Sequence, residues 1–291
     1  YDLRKAQNDS KYHERSLFQI EDILRMGRNI VDYDRGHPPT ADIVSSVFNF
    51  IFYQKLGIVG DIESYHLFVV FVGALTVAFV FLFASEVFGS GVGIFSAIFM
   101  ATYPLFWSES HFNIKDIPVT AFITASLYFF WKGIKKNRLF FIIISSVFAG
   151  LAVGVKFNIL FFAPLYLWFA VKHIKNNKKL FFGFLLFPLI MYGIFYAFWP
   201  YIWGDPIART LQAFRYYEKV GVGYLYQKSF IRGPFNLYPL YWIFITTPLV
   251  TLISAFLGLL VLYLGRKKYS DFLVFILLWL TLSVGRVSIA K

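Results

Sequence analysis

From Tyr65 onward the apolar residues come in long blocks instead of at helical or alternating spacing. Residues 68–83, FVVFVGALTVAFVFLF, are apolar on every face of a helix, whereas a helix lying on a soluble core would show a recurring polar face. Runs of about twenty apolar residues cross the hydrocarbon layer as helices, and runs of about sixteen can do so when packed among neighbours. Eight blocks qualify, at 65–86, 91–107, 117–131, 139–155, 157–171, 180–198, 240–264 and 272–289. The pattern predicts an all-α polytopic membrane protein, a bundle of about eight transmembrane helices. Residues 1–64 form a first outer loop with membrane-surface helices, and residues 65–291 the bundle, with outer loops at 108–116 and 199–238. The chain opens on Tyr1 and stops at Lys291 as the last block ends, so it reads as a piece of a longer chain, with more expected on both sides.

Composition agrees: 58% of residues are hydrophobic, 15% are charged, and the mean hydropathy is +0.61. The net charge of +12 invites a nucleic-acid reading, but its placement argues against one. KGIKKNR from 132, KHIKNNKK from 172 and RKK from 266 carry four, four and three lysines or arginines. An even number of blocks separates these loops, so all three fall on one side, as the positive-inside rule requires of cytoplasmic loops. The connection at 86–90 falls on the same side without a basic residue. There is no cysteine, which excludes disulfides and thiolate metal sites.

The blocks are almost bare of ionisable groups at their centres, whereas a transporter usually keeps charge or broken helices near the midplane. The outer segments are rich in them: ten acids lie within 1–64, followed by Glu109, Lys115 and Asp116. In FWSESHFNIKDIPVTAF the residues Asn113, Lys115 and Asp116 crowd the water boundary, with Pro118 in the first turn of the next helix and Asp116 favoured by its dipole. In YDRGHPPTADIV the paired prolines restrict the residues before them to extended backbone and then start a helix. That pins His37 ahead of ADIVSSVFNFIFYQKLG, an apolar surface helix bearing Asp42, Ser45, Ser46, Asn49 and Gln54.

Five segments, in order, resemble the polyprenyl-phosphate-sugar-dependent glycosyltransferases of the GT-C fold, close to the protein O-mannosyltransferases and the bacterial aminoarabinose transferases. HPPT at 37–40 looks like that family's HPPL, NIKDIP at 113–118 like its outer-loop aspartate, and GLAVGVKFNILFFAPL at 150–165 like its lysine-bearing hairpin. WPYIWGDP at 199–206 and YWIFITTPL at 241–249 are similar to two later segments of phospholipid-carrier-dependent members. The family's activating aspartate sits in the first outer loop, usually in an Asp-Glu pair. Asp9 matches it, with Ser10 where the glutamate is expected, and Glu14 is the other acid within reach.

The resemblance implies inverting transfer of a mannose-like hexose or a pentose from a polyprenyl-phosphate donor to an acceptor hydroxyl at the extracytoplasmic face. That face belongs to the plasma membrane of a prokaryote or, in a eukaryote, to a lumenal membrane. Asp9 and Asp116 are the expected catalytic acids, and His37, Lys156 and Arg286 the donor-phosphate ligands. Asn113, Lys115 and Glu14 are expected to position substrate. The partners are the lipid bilayer, the lipid-linked sugar and a protein, lipid or glycan acceptor, with no nucleic acid. No cofactor is implied, and the five scattered histidines suggest no metal site. A transporter or lipid-linked-sugar flippase is the rival reading, and a polar path through the helices is what it would require.

Overall fold

A computed structural model of the chain describes residues 37–174, 178–219, 230–233, 235–285 and 288. Asp9, Glu14 and Arg286 lie outside them. Among the described residues the fold is all-α apart from one two-stranded antiparallel ribbon, β1 (Ile231–Arg232) and β2 (Phe235–Asn236).

Helix α1 (Thr40–Asn49) starts directly after the two prolines and widens into a π-helical turn over Phe50–Lys55. Its polar side faces inward: Ser45 and Asn49 are buried, while Val47, Phe50 and Ile51 are exposed. Asn49 pins it to the next helix, donating to Asp61 Oδ1 and Ser64 Oγ, both at 2.7 Å. That inversion suits an apolar surrounding, where the protein side is the polar one.

Helix α2 (Asp61–Phe88), the longest among the described residues, is followed by α3 (Ser90–Ala101), α4 (Pro104–Glu109) and α5 (Asp116–Lys136). Next come α6 (Leu139–Val153), a 3-10 turn over Phe157–Phe162, α7 (Ala163–Ile174) and α8 (Lys178–Ala197). A second 3-10 turn, Pro200–Gly204, leads into α9 (Pro206–Lys219), and the chain closes with α10 (Tyr238–Thr246), α11 (Leu249–Leu264) and α12 (Arg266–Gly285).

Among the described residues four helices, α2, α5, α8 and α12, are long and apolar enough to cross a membrane, and α10 with α11 would make a fifth if the bent pair is one span. The expected continuous block at 240–264 breaks: the two helices meet at 113° across Thr247 and Pro248. Proline there lacks the N–H that would continue α10, and it drives Thr247 into extended backbone. The block at 91–107 breaks for the same reason, with Tyr103 extended before Pro104. The segments at 90–101, 139–153 and 157–173 form shorter apolar helices. At about 1.5 Å per residue they fall short of the ~30 Å hydrocarbon core, which is why block length alone overstated them.

Helix α5 is the centre of the bundle, with 78% of its apolar window buried against 33% for α2 and 11% for α12. It packs on α2 and α6, and α6 packs in turn on α8. Small residues permit the approach: a Cβ on Gly150 of α6 would press on the Met191 carbonyl and on Ile194 of α8. Ser126 of α5 donates to the Ser145 carbonyl of α6 at 2.8 Å, Ser145 returns the bond at 2.7 Å, and Tyr166 Oη of α7 lies 2.7 Å from Ser126 Oγ. An aromatic cluster of Phe83, Trp131, Phe272 and Phe275 attaches α12 to α2 and α5.

The lysine-rich connections gather at one end. Lys135 and Lys172 both hold Asp271, at 2.8 and 2.5 Å. Lys136 and Lys132 flank Glu86 at 3.1 and 3.6 Å, so the 86–90 connection reaches the same end through an acid.

Candidate functional site

At the opposite end three connections that are far apart in sequence meet. The first is the extended entry to α1. His37 is exposed, Pro38 and Thr40 are buried, and the Thr40 N–H donates to the Gly154 carbonyl at 3.0 Å. Gly154 lies just past α6, and a side chain there would collide with Thr40 Oγ1, so the glycine permits the contact.

The second connection runs from α4 to α5. Asn113 accepts from the N–H groups of Lys115 and Asp116 at 3.1 and 2.8 Å, which satisfies the first turn of α5 and aims the Asp116 carboxylate outward. The Asn113 amide donates to Glu109 and, at 3.0 Å, to Asp116 Oδ2. Lys115 turns the other way, to Asp42 of α1 and to the Pro38 carbonyl, tying the paired prolines to this connection.

The third connection is the turn after α6. Lys156 stands in extended backbone before the 3-10 turn and forms an ion pair with Asp116. Its neighbour Phe157 is buried against Phe195, Trp199 and Phe214, at ring distances of 5.4, 5.5 and 5.0 Å. The WPYIWGDP segment is thereby anchored beside the same turn. Helix α12 packs on this 3-10 turn as well.

Of the expected site residues, the structure therefore brings Asn113, Lys115, Asp116 and Lys156 together with the HPPT segment that begins at His37. The TTP segment is joined to another part of this region: Thr246 and Thr247 hydroxyls lie 3.4 and 3.2 Å from Tyr103 Oη, at the break before α4.

A family model described as dolichyl-phosphate-mannose-protein mannosyltransferase matches residues 36–199. The chain belongs to that family. The match takes in HPPT, NIKDIP and the lysine-bearing hairpin, the three segments whose connections converge around Asp116. Comparison with curated proteins and with solved structures found no match. As a member of the mannosyltransferase family the chain is a membrane glycosyltransferase of the kind that draws on a polyprenyl-phosphate-linked sugar.

Two acids of the site carried no sequence assignment. Asp42 fixes Lys115, and Glu109 fixes Asn113. Glu109 stands four residues before Asn113, a spacing that could have flagged it, whereas the pairing of Asp42 with Lys115 crosses 73 residues and leaves no local trace. Asp116 is the open acid of the group: its side chain is 57% exposed, against 40% for Asp42. Among the described residues no three His, Asp or Glu side chains group as metal ligands.

Proposed function

We propose that the chain transfers a mannose-like hexose or a pentose from a polyprenyl-phosphate donor to an acceptor hydroxyl, with inversion, at the extracytoplasmic face. The observation that carries this reading is the exposed pair of Asp116 and Lys156, set beside HPPT at the end of the bundle away from the lysine-rich connections. By the positive-inside rule the lysine-rich end is cytoplasmic, which turns Asp116 outward.

In the proposed step the acceptor hydroxyl gives its proton to the Asp9 carboxylate and its oxygen bonds to the anomeric carbon. The bond from that carbon to the phosphate oxygen breaks, its electron pair leaving with polyprenyl phosphate. Asp116 shares the base role or positions the acceptor, with Asn113, Lys115 and Glu14 as further positioning groups. His37, Lys156 and Arg286 stabilise the departing phosphate. An exposed ion pair contributes about 1 kcal/mol or less, so Lys156 can leave Asp116 for a donor phosphate at small cost. The exchange frees one oxygen of Asp116 next to the bound phosphate. The acceptor is a protein, lipid or glycan.

The test is release of polyprenyl phosphate from radiolabelled polyprenyl-phosphate mannose by the full-length protein in nanodiscs. Release by wild type that is lost in Asp9→Asn and in Asp116→Asn supports the reading. Wild-type rates in either variant would remove that acid from the mechanism, and donor binding without release or transfer would favour a flippase.

A further inference from the structure

The lysine-rich end encloses a cavity of about 320 Å³ that the proposed transfer does not use. Three helices wall it: α2 through Glu86, α5 through Trp131, Lys135 and Lys136, and α12 through Lys268 and Asp271. Its size is at the lower end of the ~300–1,000 Å³ typical of small-ligand sites.

Charge in and around the cavity is unbalanced. Asp271 is shared by Lys135 and Lys172, and Glu86 by Lys136 and Lys132. Lys268 rests over the Tyr269 ring at 5.0 Å and has no carboxylate within ion-pair distance among the described residues. Four lysines therefore serve two acids, and in the cavity wall itself Lys135, Lys136 and Lys268 face Glu86 and Asp271, an excess of one positive charge that Lys268 supplies. Lys135 lies over the Trp131 ring at 4.8 Å, which holds its ammonium group in place. Val87 and Phe272 add apolar surface, Tyr269 and Ser270 complete the wall, and the cavity lies at the ends of three helices long and apolar enough to cross a membrane, where a lipid headgroup would meet it.

We propose that this cavity binds the phosphodiester headgroup of an anionic glycerophospholipid. Lys268, together with Lys136 turned from Glu86, takes the phosphate oxygens, Trp131 and Phe272 meet the glycerol and upper acyl carbons, and the Asp271 pairs with the Lys132–Glu86 contact hold the three helices around it. Basic pockets between membrane helices bind anionic headgroups on this principle, since a lysine is an undirected point charge that accepts any phosphate oxygen. The bound lipid would brace α12 against α2 and α5 from the end opposite Asp116, independently of any sugar transfer.

The experiment compares binding of phosphatidylglycerol, phosphatidylcholine and inorganic phosphate to the full-length protein in detergent, by native mass spectrometry and by shifts in thermal midpoint. Wild type is set beside Lys136→Gln/Lys268→Gln, which keeps the Lys135–Asp271–Lys172 and Lys132–Glu86 contacts. The expected result is preferential binding of phosphatidylglycerol, weakened about 30-fold in the double variant at roughly fivefold per lysine, with an unchanged midpoint in the absence of lipid. Should the double variant fail to fold, Lys268→Gln alone reads the same affinity with about a fivefold loss. Equal binding by wild type and variant, no preference over phosphatidylcholine, or saturation by inorganic phosphate without lipid preference would each overturn the proposal.

Discussion

Asp271 and Asp116 lie at opposite ends of the bundle, and both are held by lysine. Asp271 is 20% exposed and takes two lysines, from α5 and α7, so its charge joins three helices. Asp116 is 57% exposed and takes one, with the Asn113 amide as its other partner. The same chemistry is arranged for cohesion at one end and left open to water at the other. The pair at the open end joins two connections and can exchange partners, while the network at the closed end cannot loosen without freeing a helix.

Substitutions that remove each acid test this contrast most severely. Asp116→Asn is expected to lower sugar transfer by about 10²–10⁴-fold, with a thermal midpoint close to wild type, since an exposed pair adds little stability. Assays of transfer and thermal unfolding on the same preparations check it, and a large fall in midpoint would break the comparison. Asp271→Ala should do the reverse. It leaves Lys135 and Lys172 facing each other across a half-buried site, costs about 1–3 kcal/mol in unfolding, and leaves the transfer rate per folded molecule unchanged.

Gly154→Val sharpens the picture of how the open end is built. The added methyl groups would force Thr40 off the turn that carries Lys156, at about 1–3 kcal/mol of overpacking, and transfer should fall with stability. The smallest effect is expected between the two ends. Tyr166→Phe removes one hydroxyl from the Ser126 and Ser145 network and should cost about 0.6 kcal/mol, read as a midpoint shift with full activity.

Much of the fold was legible because an apolar block has one meaning in a membrane. The long helices at 61–88, 116–136 and 178–197 follow blocks read from composition, and the three basic loops do come to one end. Block length failed for the short helices at 139–153 and 157–173, and also where Pro104 and Pro248 broke a block, although Pro188 lies within α8 without breaking it. Pro104 and Pro248 sit inside or at the margin of apolar runs, and hydropathy does not register a missing N–H. The candidate site was legible as residue types. Asn113, Lys115, Asp116 and Lys156 stood out as polar groups at the rims of apolar blocks.

The sequence by itself determined that the chain is helical and membrane-embedded, where its charges interrupt the apolar blocks, and which short segments resemble a glycosyltransferase. These are local properties, set by hydropathy, proline geometry and charge over a few turns. Only the tertiary structure decided that Lys156 meets Asp116, that Lys115 reaches back to Asp42 and that Thr40 docks on Gly154. Those contacts join residues from 40 to more than 100 positions apart. They exist because α5 and α6 pack closely enough, through small and hydroxyl side chains, to bring their ends to one place.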